Sequence, residues 1–151
     1  MTQASRWETP CVAGSRRPRT DRFQVAFLLS VAAYLWAGPN TCLGIVVGWL
    51  LGGQFQIVHG VIEVHGDHVA EALRRLWLPA MAITLGHCVL GQTRGGLDAT
   101  RAHERVHVRQ YERWGPFFIP AYLSAWALLV CLGRDGYREN PFEVQAYRDG
   151  G

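Results

Sequence analysis

His103, Glu104 and His107 are the residues of this chain whose types and spacing best suit chemistry. They read H-E-x-x-H. On an α-helix, residues four apart stand one turn apart on the same face. Two imidazoles at that spacing can address one cation while the Glu104 carboxylate projects beside it. Zinc-assisted hydrolysis needs this arrangement: two nitrogens hold Zn²⁺, an open position takes water, and the carboxylate accepts the water's proton. The expected roles are metal ligand for His103 and His107, general base for Glu104, and Zn²⁺ as cofactor. The plainer alternative is an amphipathic helix carrying two capped or solvent-facing histidines.

The helix itself is well signalled. Gly95 and Gly96 break what precedes it, Asp98 is the expected N-cap, and Ala99 to Trp114 contains no Gly or Pro. Gly115-Pro116 then predicts the stop. Arg101, Arg105, Arg109 and Arg113 recur every four residues. At a helical step of about 100° per residue, this row faces away from the histidines, so a solvated face is expected there.

Catalytic zinc ordinarily takes three protein ligands, and no histidine follows His107. A third ligand must then be a downstream carboxylate. Glu112 is turned well off the histidine face. Glu143 is the best placed, because Asn140-Pro141 predicts a new short helix that could lay it across the first; Glu139 is the fallback. Asn140-Pro141-Phe142-Glu143 also reads as a capping box, in which Glu143 at the third helical position reaches back to the Asn140 amide. Ligand and cap both remain open at this point. Tyr137, Tyr147 or His87 could donate to a developing oxyanion.

On these motifs the chain resembles a very small gluzincin-type zinc metallopeptidase, in which the H-E-x-x-H helix is followed by a second helix supplying a glutamate. It is also similar to small bacterial proteins carrying an H-E-x-x-H-x-x-Q-Y-E-R-W-G-P run and a later N-P-F-E. The resemblance covers roughly Ala80 to Tyr147. It implies His103 and His107 as ligands, Glu104 as base, Glu143 as third ligand, and a peptide or protein substrate. Tyr147 stands four after Glu143, where the family often has an aspartate that orients a ligand histidine.

The rest of the chain must position these groups. Its 151 residues suffice for one small core. The net charge of +3 is that of residues 1–22, whose five arginines stand against Glu8 and Asp21; too little there is apolar to fold, and a disordered basic tail is expected. With no basic patch interleaved with aromatics beyond it, nucleic acid is not an expected partner. Cys11, Cys42, Cys88 and Cys131 lie far apart and read as unpaired.

Phe23–Ala37 and Thr41–Gly53 are uncharged and flank Gly38-Pro39-Asn40. They predict an N-terminal apolar helical pair over 23–53, as one kinked span or a shallow hairpin, in contact with membrane lipid; a pair buried in a soluble core is the other arrangement. The alternating, β-branched run Gln56–Gly66 predicts one or two strands. Asp67 is expected to cap a helix through about Leu76. Ala80–Leu90 reads as a further strand, with His87 a half-exposed residue within it or lining the cleft. His65, Asp67 and His68 are more simply surface and capping residues than a second metal cluster. Phe117–Leu132 predicts another apolar helix.

The expected fold is therefore α+β: a small sheet beside the H-E-x-x-H helix, with apolar helices before and after it. Residues 54–151 form the metal-binding domain. The expected function is a membrane-associated zinc peptidase, of the bacterial inner membrane on the resemblance. The alternatives are a small membrane protein whose metal site is structural, with Trp114 or Phe117 closing the cleft over it, and a soluble metal-binding module.

Overall fold

A computed structural model describes residues 19–76 and 80–150 of the chain. The order is α1 (Arg19–Leu50), β1 (Gln54–Val58), β2 (Val61–His65), α2 (Asp67–Arg74), β3 (Ala82–Leu85), β4 (Cys88–Gly91) and α3 (Arg94–Trp114). A 3-10 turn at Gly115–Phe117 leads into α4 (Phe118–Cys131), and α5 (Pro141–Gly150) follows. The class is α+β. Residues 1–18 of the expected basic tail lie outside the described residues, while Arg19 to Arg22 already belong to α1.

The sheet is mixed, in the order β1-β2-β4-β3. β2 pairs with β1 antiparallel and with β4 parallel, and β3 pairs only with β4, which leaves β3 on an edge. Alternation along the strands divides the core between two faces. Val64, Cys88 and Leu90 meet Val69 and Leu73 of α2, with Ile45 and Val47 of α1 and Leu51 just after it. The opposite face offers Val61 and Val89 to Leu97 and Val108 of α3. Covered on both sides, β4 is buried at all four positions.

The two apolar N-terminal segments are one continuous helix with Pro39 inside it. Pro39 removes a single backbone donor. The helix survives because Asn40, instead of capping a turn, sends its Nδ2 3.1 Å to the Gly115 carbonyl, so tertiary contact braces the weak point. Further along, glycine allows α1 to lie directly on the sheet. A Cβ at Gly44 would stand 2.8 Å from Cys88 Cβ, and one at Gly48 2.9 Å from a Val64 methyl. The other half projects outward, with Phe27 and Leu35 about two-thirds exposed or more.

Several local expectations are corrected. Ala80–Leu90 is not one strand but most of the β3–β4 hairpin, turned at Gly86-His87, where Gly86 adopts φ +63°. Gln56–Gly66 resolves into β1 and β2 around His59-Gly60. α3 starts at Arg94, capped by Thr93 Oγ1 accepting from the Gly96 amide at 3.0 Å, so Asp98 is not the cap. Gly95 and Gly96 fall in the first turn, where amides have no helical partner to lose and glycine's cost is smallest. Gly66, not Asp67, stands at the N-cap of α2, and no side chain caps it.

The arginine row is solvated in only one half. Arg109 and Arg113 are exposed, but Arg101 reaches buried Glu63 on β2 through two bonds of 2.8 and 3.0 Å. Arg105 donates to the Val58 and His59 carbonyls at the β1–β2 turn. These two residues tie the outer hairpin to α3. Arg101 beside Glu63 holds that carboxyl below its ordinary range even though burial pushes it up.

Arg101→Met should therefore strand a buried carboxylate and lower stability by about 3 kcal/mol, read by denaturant unfolding. The pH dependence has a definite sign. A carboxyl lowered in the folded state stabilises above its unfolded pKa near 4.5 and loses that contribution as pH falls below it. The loss of stability between roughly pH 5 and 3 should be shallower in the variant than in wild type.

Candidate metal centre

α3 presents His103 and His107 one turn apart, and α5 crosses it carrying Glu143. His103 Nε2 lies 3.1 Å from His107 Nε2 and 3.3 Å from Glu143 Oε2. His107 Nε2 lies 3.6 Å from Glu143 Oε1. Metal–ligand bonds of about 2.0–2.1 Å in a tetrahedron put neighbouring ligand atoms about 3.3 Å apart. The His103–His107 and His103–Glu143 separations lie close to that edge length, while His107 is nearer the other carboxylate oxygen, and one ligand atom from each residue lies within 4.8 Å of the other two. His103, His107 and Glu143 thus form a cluster able to hold a metal ion.

Chemistry within the cluster points the same way. Glu143 Oε2 is buried with no hydrogen-bond partner among the described residues. A buried carboxylate oxygen without a donor is costly, and a cation at the shared vertex would satisfy it. Burial would raise the Glu143 carboxyl, but the two imidazoles and Tyr122 hold it down at about 2, so it is an anion in this setting.

The tautomer of His107 follows from its neighbours. Gln110, one turn on, spends its Nε2 protons on the Phe142 carbonyl and Gln145 Oε1 of α5, both at 3.0 Å. Its Oε1 can then only accept, and it lies 2.9 Å from His107 Nδ1. His107 must carry its proton on Nδ1, leaving the Nε2 lone pair for a cation. On the other side, Tyr122 of α4 donates to Glu143 Oε1 at 2.8 Å and leaves Oε2 free. The sequence carried no signal for Tyr122. Gln110 stands in the sequence only as the Q of the H-E-x-x-H-x-x-Q-Y run.

Ligand and cap can now be separated at Glu143. Asn140 does begin α5, its Oδ1 accepting from the Phe142 amide at 3.2 Å. But the Asn140 N–H donates to the Tyr137 carbonyl at 3.1 Å, and the Glu143 carboxylate points to Tyr122 and the histidines. The capping box is not formed. Glu139, the fallback ligand, pairs with Arg134 away from the cluster. Four residues after Glu143, the Tyr147 ring sits 4.6 Å from that of His103.

Glu104 faces the sheet side of the same space. Its Oε2 accepts from Thr84 Oγ1 of β3 at 2.7 Å. Burial raises its carboxyl above the ordinary value, against the opposing pull of that hydrogen bond. A cleft of about 500 Å³ opens beside it, lined by His103, Glu104, His107 and Glu143, by all of β3 and by one side of α4.

His87 has no place in this cleft. At the β3–β4 turn it is buried rather than half-exposed, stacked on Tyr34 of α1 with ring centroids 3.9 Å apart and bonded through Nε2 to Glu112 at 3.1 Å. Of the three candidate oxyanion donors, only Tyr137 lines the cleft. His65, Asp67 and His68 belong to no metal-competent group among the described residues.

Gln110→Ala and Tyr122→Phe should each weaken metal binding about 10- to 100-fold, measured by competing Zn²⁺ or Co²⁺ against a chromophoric chelator. Affinity unchanged in both variants would mean that the cluster is not organised around a cation. Compared with known protein families, with curated proteins and with solved structures, the chain shows no match, so the reading of this site stands on its own geometry.

Proposed function

We propose that this chain is a membrane-associated, zinc-dependent peptidase. The observation that carries the reading is that three clustered ligand residues, a buried carboxylate beside them and an unpaired sheet edge all border one open cleft. Zinc held by His103, His107 and Glu143 would supply Lewis acidity toward water and toward the scissile carbonyl.

The protein's own groups supply the remainder. β3 pairs on one side only, so an extended peptide can add to its free edge and be held by main-chain hydrogen bonds. That places a peptide carbonyl along the strand from which Thr84 fixes Glu104. Glu104 takes the proton of the attacking water as the water oxygen bonds to the carbonyl carbon. It then delivers that proton to the departing nitrogen as the C–N bond breaks. A carboxyl raised by burial suits this exchange, since its proton affinity is moved toward that of its partners. Tyr137, at the cleft wall, is the group best placed to donate to the carbonyl oxygen.

A purely structural metal site would call for a cleft shut by Trp114 or Phe117. Neither lines it, and Phe117 is 62% exposed. Membrane association is supported by two helical runs long and apolar enough to cross a bilayer, Phe27–Leu50 and Arg94–Cys131. In the second the apolar part is α4, because α3 carries five arginines. At about 1.5 Å per residue, Phe27–Leu50 reaches roughly 36 Å, beyond the hydrocarbon thickness of about 30 Å, whereas α4 reaches only about 21 Å.

The test is Glu104→Gln in detergent-solubilised protein, assayed with a fluorogenic peptide library. Metal content should stay at the wild-type level while hydrolysis falls by about three orders of magnitude or more. Hydrolysis persisting in the variant would rule out this mechanism.

A further inference from the structure

The cleft has a mouth whose chemistry does not suit water. Apart from the metal cluster, Glu104, Thr84 and three tyrosines, its lining is apolar: alanines, leucines and Ile83 from the sheet side, and Phe118, Ile119, Leu123 and Trp126 from α4. Two of the lining residues are also strongly exposed. Leu76, just beyond α2, is 42% exposed, and Leu123 on α4 is 54% exposed. One apolar residue just beyond α2 and one on α4 thus belong to the cleft and to the outer surface at once, and these form its lips. Beyond Leu123, α4 also exposes Leu128 and Val130, and Leu132 at its C-cap is exposed too.

A soluble peptidase would set an apolar cleft behind a polar rim, since contiguous exposed apolar surface is costly in water. Here the apolar lining runs out through the lips onto α4. This helix meets the long apolar helix α1 at a common junction, where Ala37, Tyr111 and Phe118 pack together and Asn40 holds the Gly115 carbonyl. The medium that matches such a mouth is the hydrocarbon of the bilayer.

Resting on the peptidase reading above, we infer that the substrate is the apolar, membrane-inserted segment of another polypeptide, which enters sideways between the Leu76 and Leu123 lips and lies along the free edge of β3. The energetic sense is simple. A lipid-embedded segment loses no hydrophobic stabilisation on moving into an apolar cleft. Once unwound there, it needs partners for its backbone N–H and C=O groups, and an unpaired strand edge provides them. Away from the metal cluster and Glu104, none of the lining residues is charged, so a charged side chain seated there would be desolvated without a partner.

The test compares two fluorogenic substrates sharing one scissile sequence. One is an apolar peptide of membrane-spanning length, inserted with the full-length protein into phosphatidylethanolamine–phosphatidylglycerol vesicles. The other is a short water-soluble peptide with charged flanks, added to the same vesicles. The inserted substrate should be cleaved at least tenfold more efficiently, and Leu123→Gln or Leu76→Gln should each cut that preference roughly tenfold. Equal or faster cleavage of the soluble peptide, or a preference untouched by both lip variants, overturns the inference and leaves the peptidase reading standing. No cleavage of either substrate above the Glu104→Gln background defeats the peptidase reading itself. Thermal melting of each lip variant, expected within a few degrees of wild type because both positions are exposed, separates lost preference from lost fold.

Discussion

Everything at the centre turns on the primary amide of Gln110. It has two protons and one carbonyl oxygen, and α5 claims the protons through the Phe142 carbonyl and Gln145. What is left can only accept, and His107 Nδ1 is what it accepts from. One side chain therefore fixes the crossing of α5 over α3 and turns the other nitrogen of His107 toward the cluster. The same crossing delivers Glu143. Were α5 displaced by a few ångströms, Gln110 could pair with solvent in either orientation, the tautomer of His107 would be undetermined, and the third ligand would be gone. The order of dependence runs from amide geometry to helix crossing to ligand set.

That dependence explains what the sequence reveals and what it hides. His103, Glu104 and His107 are legible because their relation is local: helical periodicity alone puts the imidazoles together, and Gly115-Pro116 closes the helix as expected. Glu143 is half legible. Asn140-Pro141 announces a helix start, but a cap and a ligand make the same demand on sequence, and only the Tyr137 carbonyl occupying the Asn140 amide separates them. Thr84, Gln110 and Tyr122 orient Glu104 and the cluster over separations of up to 35 residues. A single sequence holds no mark of such pairings. His87 misleads for a related reason. A histidine beside a glycine between apolar runs looks like a strand residue, whereas it closes a hairpin turn and is buried by a helix that ended nearly forty residues earlier.

Beside its apolar core, the molecule buries an unusual number of polar groups and exposes many apolar ones. Glu63, Glu104, His107, Gln110, Asn140 and Glu143 are buried, while leucines, valines and tryptophans of α1 and α4 stand outside. Each buried polar group needs a partner to offset its desolvation, and most of these have one. Arg101 meets Glu63, Thr84 meets Glu104, Gln110 meets His107, and Asn140 bonds the Tyr122 carbonyl. Glu143 Oε2 is an exception, and it sits where three donor atoms converge. An unsatisfied atom at random would be a defect. This one lies within a group of side chains able to hold a metal ion, which the surrounding bonds keep in place.

α4 joins these two halves of the molecule. Its apolar composition would be explained by lipid contact alone, yet one side forms the wall of the cleft and its Tyr122 holds the idle oxygen of Glu143. A helix with both duties cannot shift in its surroundings without moving the ligand set. Phe118 makes the linkage tighter, since it packs on Tyr111 of α3, on Tyr122 and on Phe142 of α5, and the three helices share that aromatic contact. The medium around α4 and the geometry of the metal centre are therefore coupled through packed rings, and the site is complete only when the apolar helix is seated.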